Sequence, residues 1–185
     1  PARITRRKNI EFAIRVTRAL SIQKPAAHLI VTGPPGPHNP RNVTYLAELK
    51  RISEHLSVAD RVHFLYEHGE GSNPLNLPDR SIAQLYRLVD ALIFPSKREG
   101  FGIPVLEAGL ARLPVFAADI PPVRESGGEH THLFPLDANP EQVADQIIFD
   151  LMGDHQYLLR RRVLRQFSWQ AVVTEQIIPL IQPYL

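Results

Sequence analysis

The stretch ALIFPSKREGFGIPVLEAGL, residues 91–110, decides the fold because a buried strand, a polar loop and a helix follow one another in it. The apolar run at 91–94 predicts the strand, and apolar residues at helical spacing predict a helix over 103–112. In parallel α/β sheets, ligands bind at the carboxyl ends of the strands. The loop that contains Glu99 is therefore the expected place for a ligand.

The glycines of this loop support that expectation. Gly100 and Gly102 let the backbone approach a ligand closely, and Pro104 fixes the first turn of the helix. The amides of Gly102 and Ile103 can then face an anion with the helix dipole behind them. The loop predicts a site for a phosphate or a sugar oxygen, although Glu99 considered alone could be a solvated loop acid.

The rest of the chain alternates strands and helices. Strands are predicted at 28–32, 62–66, 115–117 and 131–134, and helices at 9–23, 42–57, 80–88, 121–126, 140–152, 155–166 and after the N-cap Ser168. Strands between helices indicate an α/β protein with a Rossmann-like, doubly wound parallel sheet, here of about six strands. We expect the first strand to be truncated, since only residues 1–5 precede the first helix, and Trp169 to be a packing anchor.

Composition narrows the class of protein. With 185 residues, 44% of them hydrophobic and 22% charged, the chain is predicted to be one globular domain. A net charge of +2 argues against nucleic acid as a partner, and neither a membrane span nor a signal peptide is expected. The absence of cysteine excludes disulfides and thiolate metal sites, and it fits a cytoplasmic location.

Glu107 lies in the predicted helix beside an apolar stripe of Ile103, Leu106 and Leu110. A carboxylate in that position needs hydrogen-bond donors, and the two hydroxyls of a ribose would supply them. The alternative is that Glu107 only complements the helix dipole. The pattern alone leaves both interpretations open.

The segment EGFGIPVLEAG, with seven residues between Glu99 and Glu107, resembles the E-x7-E signature of retaining GT-B glycosyltransferases, particularly family 4. Other segments resemble the same family in the same order, namely ARITRRKN, HLIVTG, VHFLY, LYRLVDALIFPS, LPVFAAD and FSW. The resemblance covers nearly the whole chain. It implies the C-terminal, donor-binding half of a GT-B glycosyltransferase.

The resemblance implies a role for each matched charged residue. Arg3 and Lys8 match the basic pair that holds the donor diphosphate. Glu107 matches the acid that binds the ribose, and Glu99 matches the acid that contacts hydroxyls of the transferred sugar. Without the resemblance, the basic cluster at 3–8 would be interpreted as a solvated chain end.

The resemblance also assigns backbone positions and a base-reading loop. Phe101, Gly102 and Ile103 match the loop whose amides meet sugar and phosphate, and Gly33 stands where the family has a glycine-rich turn beside the nucleotide. The long loop at 67–79 lies about where the family reads the base, and its candidates are Glu67, His68, Glu70 and Asn73. Glu70 is the residue that we expect to contact the nucleotide, and the identity of the base stays open.

The implied reaction is transfer of a sugar from a nucleoside diphosphate sugar to an acceptor hydroxyl, with retention and with no obligatory cofactor or metal. Residues 1–166 would form the core of a single domain, and a helix at 167–185 would cross to an N-terminal domain missing here. The acceptor would be a sugar or a lipid-linked glycan, and any membrane association would run through the missing domain. Two rivals stay open, a GT-B sugar-nucleotide epimerase and a non-catalytic nucleotide-sugar-binding domain.

Overall fold

The computed structural model describes residues 3–36, 39, 41–69 and 74–182, and the chain divides into two compact units, residues 1–147 and residues 148–185. All five strands of the described residues belong to the first unit. The predicted α/β class with parallel strands is confirmed.

The five strands form two parallel sheets. β1 (Leu29–Val31) pairs with β2 (Val62–Phe64), while β4 (Val115–Ala118) lies between β3 (Leu92–Phe94) and β5 (His132–Phe134). The register sets Ile30 opposite His63, Ile93 opposite Phe116 and Ala117 opposite Leu133. The expectation of about six strands is thus one strand too high for the part of the chain that the structure describes.

The segment in which a truncated first strand is predicted forms a single β-bridge over its described residues. Ile4 pairs in parallel with Pro35, the Ile4 amide donates to the Pro34 carbonyl over 2.8 Å, and the Gly36 amide donates to the Ile4 carbonyl over 3.2 Å. Prolines have no amide hydrogen to extend such a ladder. The contact nevertheless places the N-terminal segment beside the turn that contains Gly33.

Over its described residues, the first unit contains the starts of six α-helices, which cover its sheets. They are α1 (Ile10–Gln23), α2 (Arg41–His55), α3 (Asp79–Leu88), α4 (Ile103–Leu110), α5 (Pro121–Gly127) and α6 (Pro140–Gly153). Each lies where a helix is predicted. The helix predicted over 103–112 ends early because Arg112 adopts a left-handed conformation with φ of 58°.

Two apolar clusters hold the first unit together. One surrounds β1 and β2 and contains the fully buried Ile14 and Leu49, and the other surrounds β3 and β4 and contains the fully buried Ala108 and Val123. The Phe12 and Phe134 rings stack with centroids 5.2 Å apart, which joins α1 to β5. These contacts fix the position of the segment before α1 relative to the second sheet.

The second unit contains α7 (His155–Gln166), α8 (Trp169–Val172), a π-helical turn (Val173–Ile177) and α9 (Ile178–Ile181). The predicted N-cap is confirmed, because Ser168 Oγ accepts a hydrogen bond from the Ala171 amide. The prediction that Trp169 is a packing anchor is wrong in this structure, since the residue is 81% exposed.

None of the helices over the described residues combines the length and the apolar character that a membrane crossing requires.

The entry to α4 depends on Gly102. This residue is buried and has φ of +83°, and a Cβ added to it would lie 2.8 Å from Ser126 Oγ. A left-handed backbone of this kind favours glycine. Pro104 lies in the first turn of the helix, as predicted.

We therefore expect Gly102→Ala to lower the free energy of unfolding by about 1–3 kcal/mol, since it puts a side chain on a left-handed backbone in a buried place. Urea denaturation measures the change. Gly100→Ala is the matched control, because no atom lies within 4 Å of the added Cβ. Equal stability of the two variants would show that the backbone at Gly102 is not constrained.

Candidate functional site

The candidate site forms where the segment before α1 meets the loop after β3. The Lys97 amide donates a hydrogen bond to the Arg7 carbonyl over 2.8 Å. Arg6–Lys8 form one 3-10 turn, and the buried Asn9, with φ of 51°, turns the chain from it into α1. This local geometry directs Lys8 toward the loop.

Lys8 and Glu99 form a buried ion pair. Lys8 Nζ lies 2.5 Å from Glu99 Oε1, and each side chain is only 8% exposed. The same Nζ lies 5.1 Å from the centroid of the Phe94 ring, at the end of β3. The alternative interpretation of Glu99 as a solvated loop acid is therefore wrong, and so is that of Lys8 as part of a solvated chain end.

The charges around Glu99 lower its pKa. Burial of the carboxyl group by itself raises the pKa, but the hydrogen bonds from Lys8 and Ser96 and the positive charges of Lys8 and Arg7 outweigh it. Glu99 is thus a carboxylate at neutral pH. It faces Lys8 through one oxygen and Arg7 through the other.

The remaining basic residues of the cluster have different partners. Arg7 Nη1 lies 3.2 Å from Glu99 Oε2 and 3.2 Å from the Arg98 carbonyl. Arg6 is directed elsewhere, because its Nη2 lies 2.5 Å from Glu48 Oε2 and its guanidinium lies 4.8 Å from the centroid of the Tyr45 ring. Arg3, the predicted partner of Lys8, is exposed beside the bridge of Ile4 with Pro35.

The Glu107 carboxylate accepts a hydrogen bond from a tyrosine. The Tyr86 hydroxyl, on α3, donates to Glu107 Oε2 over 3.1 Å, and burial followed by the charge of Glu107 raises the Tyr86 pKa. The phenol therefore stays protonated and able to donate.

The apolar stripe beside which Glu107 is predicted to lie does not face the core. Its three residues, Ile103, Leu106 and Leu110, are exposed, Leu110 to 89%. Val105 and Ala108 are buried instead. The helix has only eight residues and turns the face of Val105 and Ala108 toward the second apolar cluster. Ile103, Leu106 and Leu110 therefore form an exposed apolar face of α4.

The structure places the predicted backbone positions around this loop. Phe101 and Ile103 are exposed on either side of the buried Gly102, and Gly33 is buried in the turn next to Ile4. Glu70, the predicted base contact, lies outside the described residues, as does Asn73. Glu67 in the same predicted loop lies 3.0 Å from Lys50 Nζ, and His68 is exposed.

Sequence reasoning missed two residues of the site. Tyr86 lies four residues after Ile82 on the buried face of α3, so its spacing predicts only a core residue. Arg7 lies between two other basic residues, and no pattern in the sequence separates it from Arg6. Among the described residues, no three His, Asp or Glu side chains converge as a metal site requires.

The lowered pKa of Glu99 predicts a pH dependence of stability. A carboxylate whose pKa falls on folding stabilises the protein above its ordinary pKa of 4.5, and this contribution is lost as the pH falls through the folded value. Glu99→Gln leaves Lys8 buried without its partner, so we expect a loss of about 3 kcal/mol at pH 7. The gap between the variant and the unsubstituted chain should narrow below pH 4.5.

Urea denaturation between pH 7 and pH 3 measures this gap. Glu129→Gln is the control, because the Glu129 side chain is exposed to 88%. A gap between Glu99→Gln and the unsubstituted chain that stays constant across this range would contradict the ion pair.

Comparison with known proteins identifies relatives of the chain. Residues 1–157 match the family model described as glycosyl transferases group 1. The chain is 32% identical over 135 residues to the lipopolysaccharide core biosynthesis mannosyltransferase LpsB of Rhizobium meliloti (strain 1021), which covers 71% of this chain and 34% of that protein. It is 42% identical over 72 residues to the serotype-specific mannosyltransferase WbdA of Escherichia coli, which covers 39% of this chain and 9% of WbdA.

Solved structures show the same fold. The C-terminal domain of the glycosyl transferase group 1 family protein LpcC from Francisella tularensis superimposes with a TM-score of 0.65 at 21% identity, covering 94% of this chain and 82% of that domain. Anabaena HepE in complex with UDP gives a TM-score of 0.65 at 22% identity, covering all of this chain and 47% of HepE. The fold is that of the C-terminal half of GT-B glycosyltransferases.

The chain covers very different shares of the length of these relatives. The chain spans only 9% of WbdA and 34% of LpsB, but most of the LpcC C-terminal domain. The family model matches 157 of the 185 residues, including all those of the candidate site. The chain belongs to the family of glycosyl transferases group 1.

Proposed function

We propose that this chain is the donor-binding domain of a retaining glycosyltransferase, which transfers a sugar from a nucleoside diphosphate sugar to an acceptor hydroxyl. The observation that carries the proposal is the buried pair of Lys8 and Glu99 at the carboxyl end of β3, immediately before α4. Ligands of parallel α/β sheets bind at such strand ends. A buried ammonium there suits the diphosphate of the donor, and a buried carboxylate suits the hydroxyls of its sugar ring.

Lys8 and Arg3 would hold the diphosphate. Breaking the bond between sugar and phosphate leaves extra negative charge on the phosphate, and catalysis requires that this charge be stabilised as it develops. The ammonium of Lys8 and the amides at the start of α4, at Gly102 and Ile103, would supply that stabilisation without a metal. The exposed Arg3 and Phe101 would meet the donor from the solvent side.

Glu107 would bind the ribose, and Glu99 would bind hydroxyls of the transferred sugar. The hydrogen bond from Tyr86 fixes one oxygen of Glu107 and orients the carboxylate. The other oxygen can then accept from a ribose hydroxyl. Glu99, which Lys8 and Arg7 hold in the ligand-free chain, would orient the sugar rather than act as a nucleophile.

Two of the relatives suggest that the transferred sugar is a hexose, and mannose first among the hexoses, since LpsB and WbdA are both mannosyltransferases. HepE binds UDP in its crystal structure. Gly33 and Glu70 are the positions proposed to lie beside the nucleotide. The acceptor would be a sugar or a lipid-linked glycan.

The acceptor site would lie in an N-terminal domain of the same polypeptide, with 1–166 as the core of the domain described here and 167–185 reaching that partner domain. Two other activities predict different products. A sugar-nucleotide epimerase would convert its nucleotide sugar without an acceptor, and a binding domain would never transfer the sugar. Product analysis of the full-length protein with and without acceptor separates the three.

Calorimetric titration of the chain with UDP, GDP, ADP and their sugars tests donor binding. We expect Lys8→Ala to weaken binding of the preferred nucleotide by about 1.5–3 kcal/mol, the range for a charge-assisted hydrogen bond. Glu107→Gln, which keeps the shape of the side chain, should weaken binding of the nucleotide by removing an acceptor for the ribose.

Lys24→Ala is the matched control for Lys8→Ala, because the 14 residues of α1, about 21 Å of helix, separate the two lysines. Circular dichroism of each variant verifies that it has folded. Undiminished nucleotide affinity in both the Lys8 and the Glu107 variants would contradict the proposed site.

A further inference from the structure

We propose that Arg7 is a positioning residue of the donor site, which holds Glu99 in place while Lys8 passes to the diphosphate of the donor. The inference rests on the proposed function, because it assumes that the ligand is a nucleoside diphosphate sugar. It adds a residue to which neither the sequence pattern nor the family signature assigns a role. Its basis is the arrangement of three charged side chains.

The two oxygens of Glu99 have separate cationic partners. Oε1 accepts from Lys8 over 2.5 Å, and Oε2 accepts from Arg7 over 3.2 Å. Lys8 is buried, whereas the side chain of Arg7 is 53% exposed. Because the two cations contact different oxygens, the contact with Arg7 does not depend on the contact with Lys8.

Arg7 is fastened to the loop at both ends. Its carbonyl accepts from the Lys97 amide over 2.8 Å, and its Nη1 also lies 3.2 Å from the Arg98 carbonyl. Arg7 thus forms hydrogen bonds with Lys97 and Arg98, the two residues immediately before Glu99, through its main chain and its guanidinium. This double attachment sets the position of the carboxylate independently of Lys8.

The charge balance shows why a second cation is needed. Lys8 and Glu99 alone have no net charge, and adding Arg7 gives the trio a net charge of +1. When the Lys8 ammonium turns to a diphosphate, a buried Glu99 left without a partner would be strongly disfavoured. Arg7 removes that penalty, because a guanidinium stays charged at every relevant pH.

Arg6 provides an internal comparison. It is the neighbouring arginine in the same 3-10 turn, but it pairs with Glu48 and lies over the Tyr45 ring. Substitution of Arg6 removes the same formal charge from the same turn without touching Glu99. Any effect of Arg7 beyond that of Arg6 therefore reports the contact with Glu99.

The test compares Arg7→Gln, Arg7→Lys and Arg6→Gln in two measurements. Calorimetry gives the affinity for the nucleotide sugar that the unsubstituted chain binds best. Carbon-13 NMR follows the titration of the Glu99 carboxyl group in the ligand-free chain. We expect Arg7→Gln to weaken donor binding about fivefold, the effect of a partly exposed ion pair, and to shift the titration of Glu99 to higher pH.

Arg7→Lys should restore part of both effects, and Arg6→Gln should leave both unchanged. The inference would be overturned if Arg7→Gln and Arg6→Gln had the same donor affinity and the same Glu99 titration. If the unsubstituted chain binds none of UDP, GDP and ADP or their sugars, the proposed function fails and the role in donor binding fails with it. An unshifted Glu99 titration in Arg7→Gln, with donor binding intact in the unsubstituted chain, overturns the role of Arg7 alone.

Discussion

The rest of the candidate site depends on the buried ion pair between Lys8 and Glu99. Removing two charges from water is costly, and a pair of well-packed apolar residues would stabilise the same place at least as well. Ligand binding therefore explains this buried ion pair better than a contribution to stability does. The pair also joins the segment before α1 to the loop after β3, so the fold and the proposed chemistry share one contact.

Each acid of the signature is held by a residue outside it. Glu99 is held by two cations from the 3-10 turn before α1, and Glu107 is held by the phenol of Tyr86 from α3. In the proposed donor complex, neither carboxylate would have to be ordered by the ligand, which reduces the entropy lost on binding. The preorganised group that would stabilise a developing phosphate charge is the ammonium of Lys8, which Glu99 holds in the ligand-free chain.

The sequence was sufficient to predict the pattern of helices and strands, because buried strands and amphipathic helices have distinct periods. It was also sufficient to predict the loop from Glu99 to Gly102. It was insufficient for the packing of α4, since both faces of that short helix are apolar and only the structure shows that Val105 and Ala108 are the buried ones. It also could not separate Arg7 from Arg6. Their partners, Glu99 and Glu48, lie 92 and 42 residues away, and no local rule relates them.

A crystal structure of the chain with a bound nucleoside diphosphate tests the central claim most directly. The claim predicts phosphate oxygens within hydrogen-bond distance of Lys8 Nζ, a ribose hydroxyl on Glu107, and Glu99 still in contact with Arg7. A nucleotide bound at another edge of the sheet, with Lys8 and Glu99 paired and untouched, would contradict it.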